Sequence, residues 1–172
     1  MNLNSRRNLI QAGALVACLP SLGFSQIISP DMGSNIPWSQ VRLLNDEVLK
    51  STQLKGQVLV TYFWASWCRP CLGEIPAGEE LKKHFEGKDV VFINISIDEG
   101  EQNWVAAKAK YNINGIHALS NNRNHPEVQK KYKVESIPSY FLIDKEGNFI
   151  SAPAPRPSNP SIYQLIEEAL KK

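Results

Sequence analysis

Eight consecutive residues, Gln57-Val58-Leu59-Val60-Thr61-Tyr62-Phe63-Trp64, run almost directly into the pair Cys68 and Cys71. The run is rich in β-branched and aromatic side chains and too short for a helix of such apolarity, so it predicts a buried central strand. The mixed polar and apolar residues after the cysteines, through Glu86-Gly87, predict a helix kinked at Pro76. The two thiols therefore fall where a strand turns into a helix. Cysteines three apart at a helix start face the same side and can join or part without unfolding anything.

The remaining pattern alternates strand and helix, which implies an α/β fold with a largely parallel sheet. Val90 to Ile97 is a second apolar strand, and Glu99 to Tyr111 is a helix carrying Trp104 and Tyr111 into the core. Ile116 to Leu119 reads as a short strand, Ser120 to Asn124 as a loop and His125 to Tyr132 as a short helix. Ser139 to Ile143 and Asn148 to Ala152 form an antiparallel hairpin across Glu146-Gly147. The Pro-rich stretch Pro153 to Pro160 is expected to cross the surface before a closing helix over Ser161 to Lys172. Upstream, Ile36 to Leu44 and Glu47 to Leu49 flank Asn45-Asp46 as an N-terminal β-hairpin extension, followed by one helical turn ending at Lys55-Gly56.

Cys68 at the helix N-terminus meets unpaired backbone N–H groups and the positive end of the helix dipole, and both favour thiolate over thiol. Arg69 adds a positive charge, and Arg69 and Pro70 together are the residues between the sulfurs that tune the pair. Cys68 is thus the expected nucleophile, and Cys71, one turn deeper, the resolving thiol. A zinc half-site or an inert bridge would use the same spacing. Zinc wants about four ligands, whereas no second C-x-x-C exists and His84, His117 and His125 are scattered. A bridge closing so short a loop adds little stability.

Residues 1–25 have the three parts of a secretory signal: basic Arg6 and Arg7, an apolar stretch from Leu9 to about Phe24, and a small-residue end, with cleavage expected before Gln26. Ser5-Arg6-Arg7-Asn8-Leu9-Ile10 resembles the twin-arginine export motif, although a general secretion signal also accommodates two arginines. Leu15-Val16-Ala17-Cys18 looks like a lipobox, which leaves open a lipid on Cys18 or an uncleaved anchor. Each alternative places the 26–172 domain outside the cytoplasm, in the periplasm or an equivalent compartment. From Gln26 onward 17 basic residues face 17 acidic ones. No basic stripe remains for nucleic acid, so protein or small-molecule partners are expected.

Phe63-Trp64-Ala65-Ser66-Trp67-Cys68-Arg69-Pro70-Cys71-Leu72-Gly73-Glu74-Ile75-Pro76 is similar to the F-W-A-x-W-C-x-P-C-x-x-E-x-P pattern of the exported TlpA/ResA-like members of the thioredoxin superfamily. The resemblance covers nearly all of residues 36–172. It implies a thioredoxin-like fold, a central mixed β-sheet flanked by helices, with the hairpin as an N-terminal extension. Pro76 resembles the superfamily's helix-kinking proline. Ile137-Pro138 resembles its cis-proline motif, which would lie against the disulfide and pair with an extended substrate chain.

Glu74, three residues beyond Cys71, can face the sulfurs, raise thiol pKa values and exchange a proton, or can simply favour the first turns of the helix. Trp67 would shield the nucleophile and offer a docking surface, or only pack. Tyr62 stands where thioredoxin itself carries a buried Asp, so an internal carboxylate assisting Cys71 would have to be Glu74.

Together these residues imply a thiol-disulfide oxidoreductase. Cys68 attacks a protein disulfide, Cys71 resolves the mixed disulfide, and no cofactor or metal is needed. By resemblance, a membrane-embedded thiol donor recharges the pair, and a C-x-x-C-H apocytochrome is a plausible substrate. A monomer is expected. The rivals are a thiol peroxidase of the peroxiredoxin type, for which Ala65-Ser66-Trp67 lacks the expected Pro, and a soft-metal, copper(I), chaperone using Cys68 and Cys71.

Overall fold

The computed structural model describes residues 40–172, except Asn45, Asn122 and Asn124. The signal segment expected over 1–25, with Cys18, lies outside the described residues.

Strand β3 (Val58–Trp64) is the axis of the fold, buried along its whole length. The reason is its position in a five-stranded sheet completed by β4 (Val90–Ser96), β5 (Ile116–Leu119), β6 (Ser139–Ile143) and β7 (Phe149–Ala154), in spatial order β5-β4-β3-β6-β7. β4 is parallel to β3, with Trp64 opposite Ser96, and β5 is parallel to β4. β6 runs antiparallel to β3, and β7 antiparallel to β6. The sheet is mixed, as the resemblance implied.

Side chains alternate across a strand, and β3 shows what that does. Val58, Val60, Tyr62 and Trp64 join one buried cluster with both cysteines, Ile75, Leu81, Trp104, Ile162 and Ile166. Apart from Cys68, which caps the first of them, those partners come from helices α1 (Arg69–His84), α2 (Glu101–Lys110) and α4 (Ser161–Lys171). Leu59 and Phe63 join the opposite cluster with Val41, Leu54, Tyr132 and Phe149. There Phe63, Tyr132, Phe141 and Phe149 meet edge to face at centroid distances of 4.9 to 6.1 Å. Burying each such large side chain contributes about 1.5 to 3 kcal/mol before conformational entropy is counted.

The expected N-terminal hairpin is present as β1 (Gln40–Arg42) antiparallel to β2 (Val48–Lys50), with Asp46 in the left-handed region at φ 62°. A 3-10 turn over Ser51–Leu54 follows it. The hairpin leans on the β5 edge, where Leu44 N–H donates to the His117 carbonyl at 3.1 Å. Helix α3 (Pro126–Lys131) follows its N-cap His125 and carries Val128 into the second cluster.

Three sequence expectations need adjustment. β7 extends to Ala154, two residues into the Pro-rich stretch, because Ala154 pairs with Tyr140. The stretch does not simply cross the surface either. Pro157 is buried, with its ring against the backbone of α1 at Gly78. Trp104 is fully buried as expected, whereas Tyr111 is half-buried against the first cluster.

Candidate active site

A tight turn ends β3 and begins α1. Cys68 N–H donates to the Ala65 carbonyl at 3.1 Å, and Cys68 then caps the helix that starts at Arg69. Pro70 occupies the second helical position, where its missing N–H costs nothing because donors at a helix start have no intrahelical acceptor. The next donor, Cys71 N–H, points at Cys68 Sγ at 3.2 Å. A backbone donor is therefore directed at the sulfur expected to carry negative charge.

Cys68 and Cys71 are joined in a disulfide, with their Cα atoms 5.2 Å apart. Both are buried, Cys71 completely and Cys68 to 5% exposure. Trp67, immediately before the pair, is 66% exposed, and Arg69 and Pro70 are exposed as well. The surface around a buried bridge is thus formed by an indole, a guanidinium and a proline ring.

Helix α1 continues past Pro76 for two more turns, leaving the Leu72 carbonyl without its usual i+4 donor. One residue back, the Cys71 carbonyl receives the phenolic O–H of Tyr62 at 2.9 Å. Tyr62 stacks on Tyr140 with ring centroids 4.4 Å apart and planes 5° from parallel. Burial drives both phenols well above the ordinary tyrosine range, so they stay neutral donors.

Glu74 is half-buried on α1 and its carboxylate is already engaged. It accepts the Ser158 N–H at 3.2 Å and the Ser158 hydroxyl at 2.9 Å. The bonds reach across from the β7 to α4 connection, the stretch containing buried Pro157. Glu74, Tyr62, Tyr140 and Pro157 line one small apolar cavity of about 20 Å³ between α1 and the sheet. The sequence located Glu74 but gave no sign of Ser158.

Ile137–Pro138 is cis, as the resemblance implied, and Ala152–Pro153 is a second cis bond. Ile137 is half-buried against the cluster containing both cysteines, and Pro138 lies next to it, immediately before β6. Among the described residues, no group of three or more His, Cys, Asp or Glu side chains converges as a metal site would require.

One further group escaped the sequence reading. Asp98, just past the end of β4, is 1% exposed and accepts the N–H of Ser66 at 2.9 Å, its hydroxyl at 2.6 Å, and the Ser96 hydroxyl at 2.8 Å. Parallel strands bring their C-terminal ends together. That rule, applied to Trp64 and Ser96, would have put Asp98 beside the cysteine turn.

Residues 56–149 match the family model of thioredoxin-like proteins. The chain belongs to the thioredoxin-like family. It is 28% identical over 152 residues to the thiol-disulfide oxidoreductase ResA of Bacillus subtilis, covering 84% of this chain and 83% of that one. It is 29% identical over 167 residues to ResA of Bacillus cereus, covering 95% and 91%. A solution structure described as a candidate thiol-disulfide oxidoreductase from Bacteroides vulgatus superposes with a TM-score of 0.68 at 31% identity, covering 77% of this chain and 86% of that one. With a dithiol-spaced pair closed at the cap of α1, this thioredoxin-like chain is an enzyme of the thiol-disulfide oxidoreductase class.

Proposed function

We infer that the chain reduces protein disulfides outside the cytoplasm through a Cys68/Cys71 dithiol cycle. The observation that carries this reading is the Cys71 N–H directed at Cys68 Sγ, in a bridge that closes between the cap and the first turn of α1. In the reduced enzyme that donor stabilises a Cys68 thiolate.

The thiolate attacks one sulfur of a substrate disulfide, forming a Cys68 mixed disulfide and expelling a substrate thiolate that takes up a proton. Cys71 loses its proton and attacks Cys68, releasing the second substrate thiol and closing the bridge. Two electrons pass from enzyme to substrate, and no cofactor takes part. Glu74 exchanges the proton of the resolving step, while Arg69 and Pro70 tune the pair. Trp67, Ile137 and Pro138 receive the substrate chain, with Trp67 its most exposed surface. A thiol donor embedded in the membrane restores the dithiol. A protein bearing an oxidised C-x-x-C-H haem site fits the substrate class, and the enzyme acts as a monomer.

The export pattern of residues 1–25 supports the extracytoplasmic assignment, and no helix among the described residues is long and apolar enough to cross a membrane. Titrating the Cys68/Cys71 couple in thiol buffers tests the direction of electron flow. A reductase lies near the thioredoxin range, about −270 mV, and a value near about −120 mV, that of a strong oxidant, would overturn the assignment.

A further inference from the structure

We propose that Asp98 and Ser66 form a clamp that positions the nucleophile Cys68 and thereby sets how strongly the disulfide is favoured over the dithiol. The proposal rests on Cys68/Cys71 being the redox pair and adds two residues to its machinery.

A carboxylate with 1% exposure needs donors to offset its lost hydration. Asp98 takes two of them from one residue. Ser66 is the second residue of the turn that Cys68 N–H closes on Ala65, so both bonds fix the segment two residues before the attacking sulfur. Charge-assisted hydrogen bonds of this kind are roughly twice as strong as neutral ones.

The backbone that carries this carboxylate is held as well. Asp98 N–H donates to Ser96 Oγ at 3.0 Å, and the Asn121 side-chain amide donates to the Asp98 carbonyl at 2.8 Å. Ile97 N–H donates to the Trp64 carbonyl at 2.9 Å, carrying the β3 and β4 pairing to the edge of the turn. The ends of β3 and β4 and the loop after β5 therefore form a rigid mount, and Ser66 is the point where the cysteine turn is fastened to it.

A fastened turn keeps the Cys68 sulfur near Cys71 after reduction, which raises the effective concentration of one thiol at the other. Weakening the clamp lets the turn sample other positions and lowers that concentration. The equilibrium with a thiol pool then moves toward the dithiol. Both half-reactions balance: two pool thiols reduce the Cys68/Cys71 bridge and leave as one disulfide.

The test uses the purified full chain equilibrated in reduced and oxidised glutathione, with the redox state of Cys68 and Cys71 read by alkylation and mass spectrometry so that Cys18 does not intrude. Ser66→Ala and Asp98→Asn should each shift the equilibrium about tenfold toward the dithiol, equivalent to about 30 mV. The double variant should shift little further, because each single change already removes the bond between the Ser66 hydroxyl and the Asp98 carboxylate. Ser66→Thr keeps both donors and should stay within about twofold of the parent.

Circular dichroism and urea unfolding establish that each variant is folded, and Ser66→Ala, in a half-buried turn, carries the test if Asp98→Asn does not fold. Folded Ser66→Ala with an unchanged equilibrium would overturn the proposal, as would a Ser66→Thr shift equal to that of alanine or full additivity in the double variant. Failure of the redox reading itself is distinct: it would appear as a parent protein whose Cys68/Cys71 pair does not equilibrate with glutathione at all.

Discussion

The Tyr62 hydroxyl donates to the carbonyl of Cys71 across 2.9 Å, tying the central strand to the first turn of the active-site helix. Replacing Tyr62 by Phe keeps the ring stacked on Tyr140 and removes that donor together with the hydrogen bond it shares with the Tyr140 hydroxyl. The buried carbonyl loses a partner, so the variant should be about 1 to 2 kcal/mol less stable. Urea unfolding at neutral pH checks it, and an unchanged midpoint would show that the bond contributes nothing.

Glu74 holds Ser158 through two hydrogen bonds, and its charge lies on the same helix as the sulfurs. A nearby carboxylate disfavours thiolate formation. Glu74→Gln should therefore move the pH midpoint of alkylation of the reduced protein downward, with no change in which cysteine reacts first. An upward or absent shift would remove Glu74 from the chemistry and leave it the structural role of fastening the Pro-rich stretch.

His117 is buried on β5 and its Nε2–H donates to the Ile113 carbonyl at 2.9 Å. Its Nδ1 has no partner among the described residues. Burial, helped by Lys108 and Lys82 and opposed by the Ile113 bond, pushes its pKa down to about 4. The folded chain thus keeps the ring neutral where the unfolded chain protonates it. Stability should be intact above about pH 6.5, fall as pH drops toward 4 and level off below, losing on the order of 3 kcal/mol. Urea midpoints at pH 7 and pH 4.5 should differ less in His117→Gln than in the parent.

Trp67 is the most exposed large apolar side chain described, at 66%. Trp67→Ala should change stability by no more than about 0.5 kcal/mol. Its reaction with a protein disulfide should slow several-fold, while reaction with a small aromatic disulfide changes less. Equal slowing with both would place Trp67 in the positioning of Cys68 instead of substrate docking.

Much of this architecture could be read from local pattern. The Val58–Trp64 run predicts a central strand because every residue in it is apolar or β-branched, and both faces are indeed covered. The cysteine spacing predicts the capped helix, and the family resemblance around Ile137-Pro138 implies the cis bond. Long-range polar pairings were not legible. Ser158 lies 84 residues from Glu74, and Asp98 lies 32 from Ser66. A serine has no periodicity to betray which carboxylate it will meet, and a lone Asp after a strand looks like any turn residue. The Pro-rich stretch keeps most of its residues at the surface, as its composition predicts, but strand pairing at Ala154 and the fit of Pro157 over Gly78 draw those two residues inward, which composition does not reveal.

The division of labour between the sulfurs is tested most directly by trapping. The full chain carrying Cys71→Ser, reduced and mixed with a disulfide-bonded protein, should accumulate a covalent mixed disulfide through Cys68, resolved by mass spectrometry. Cys68→Ser should form none through Cys71, whose sulfur is completely buried. Trapping through Cys71 in the Cys68→Ser chain, or no adduct in the Cys71→Ser chain, would contradict the account.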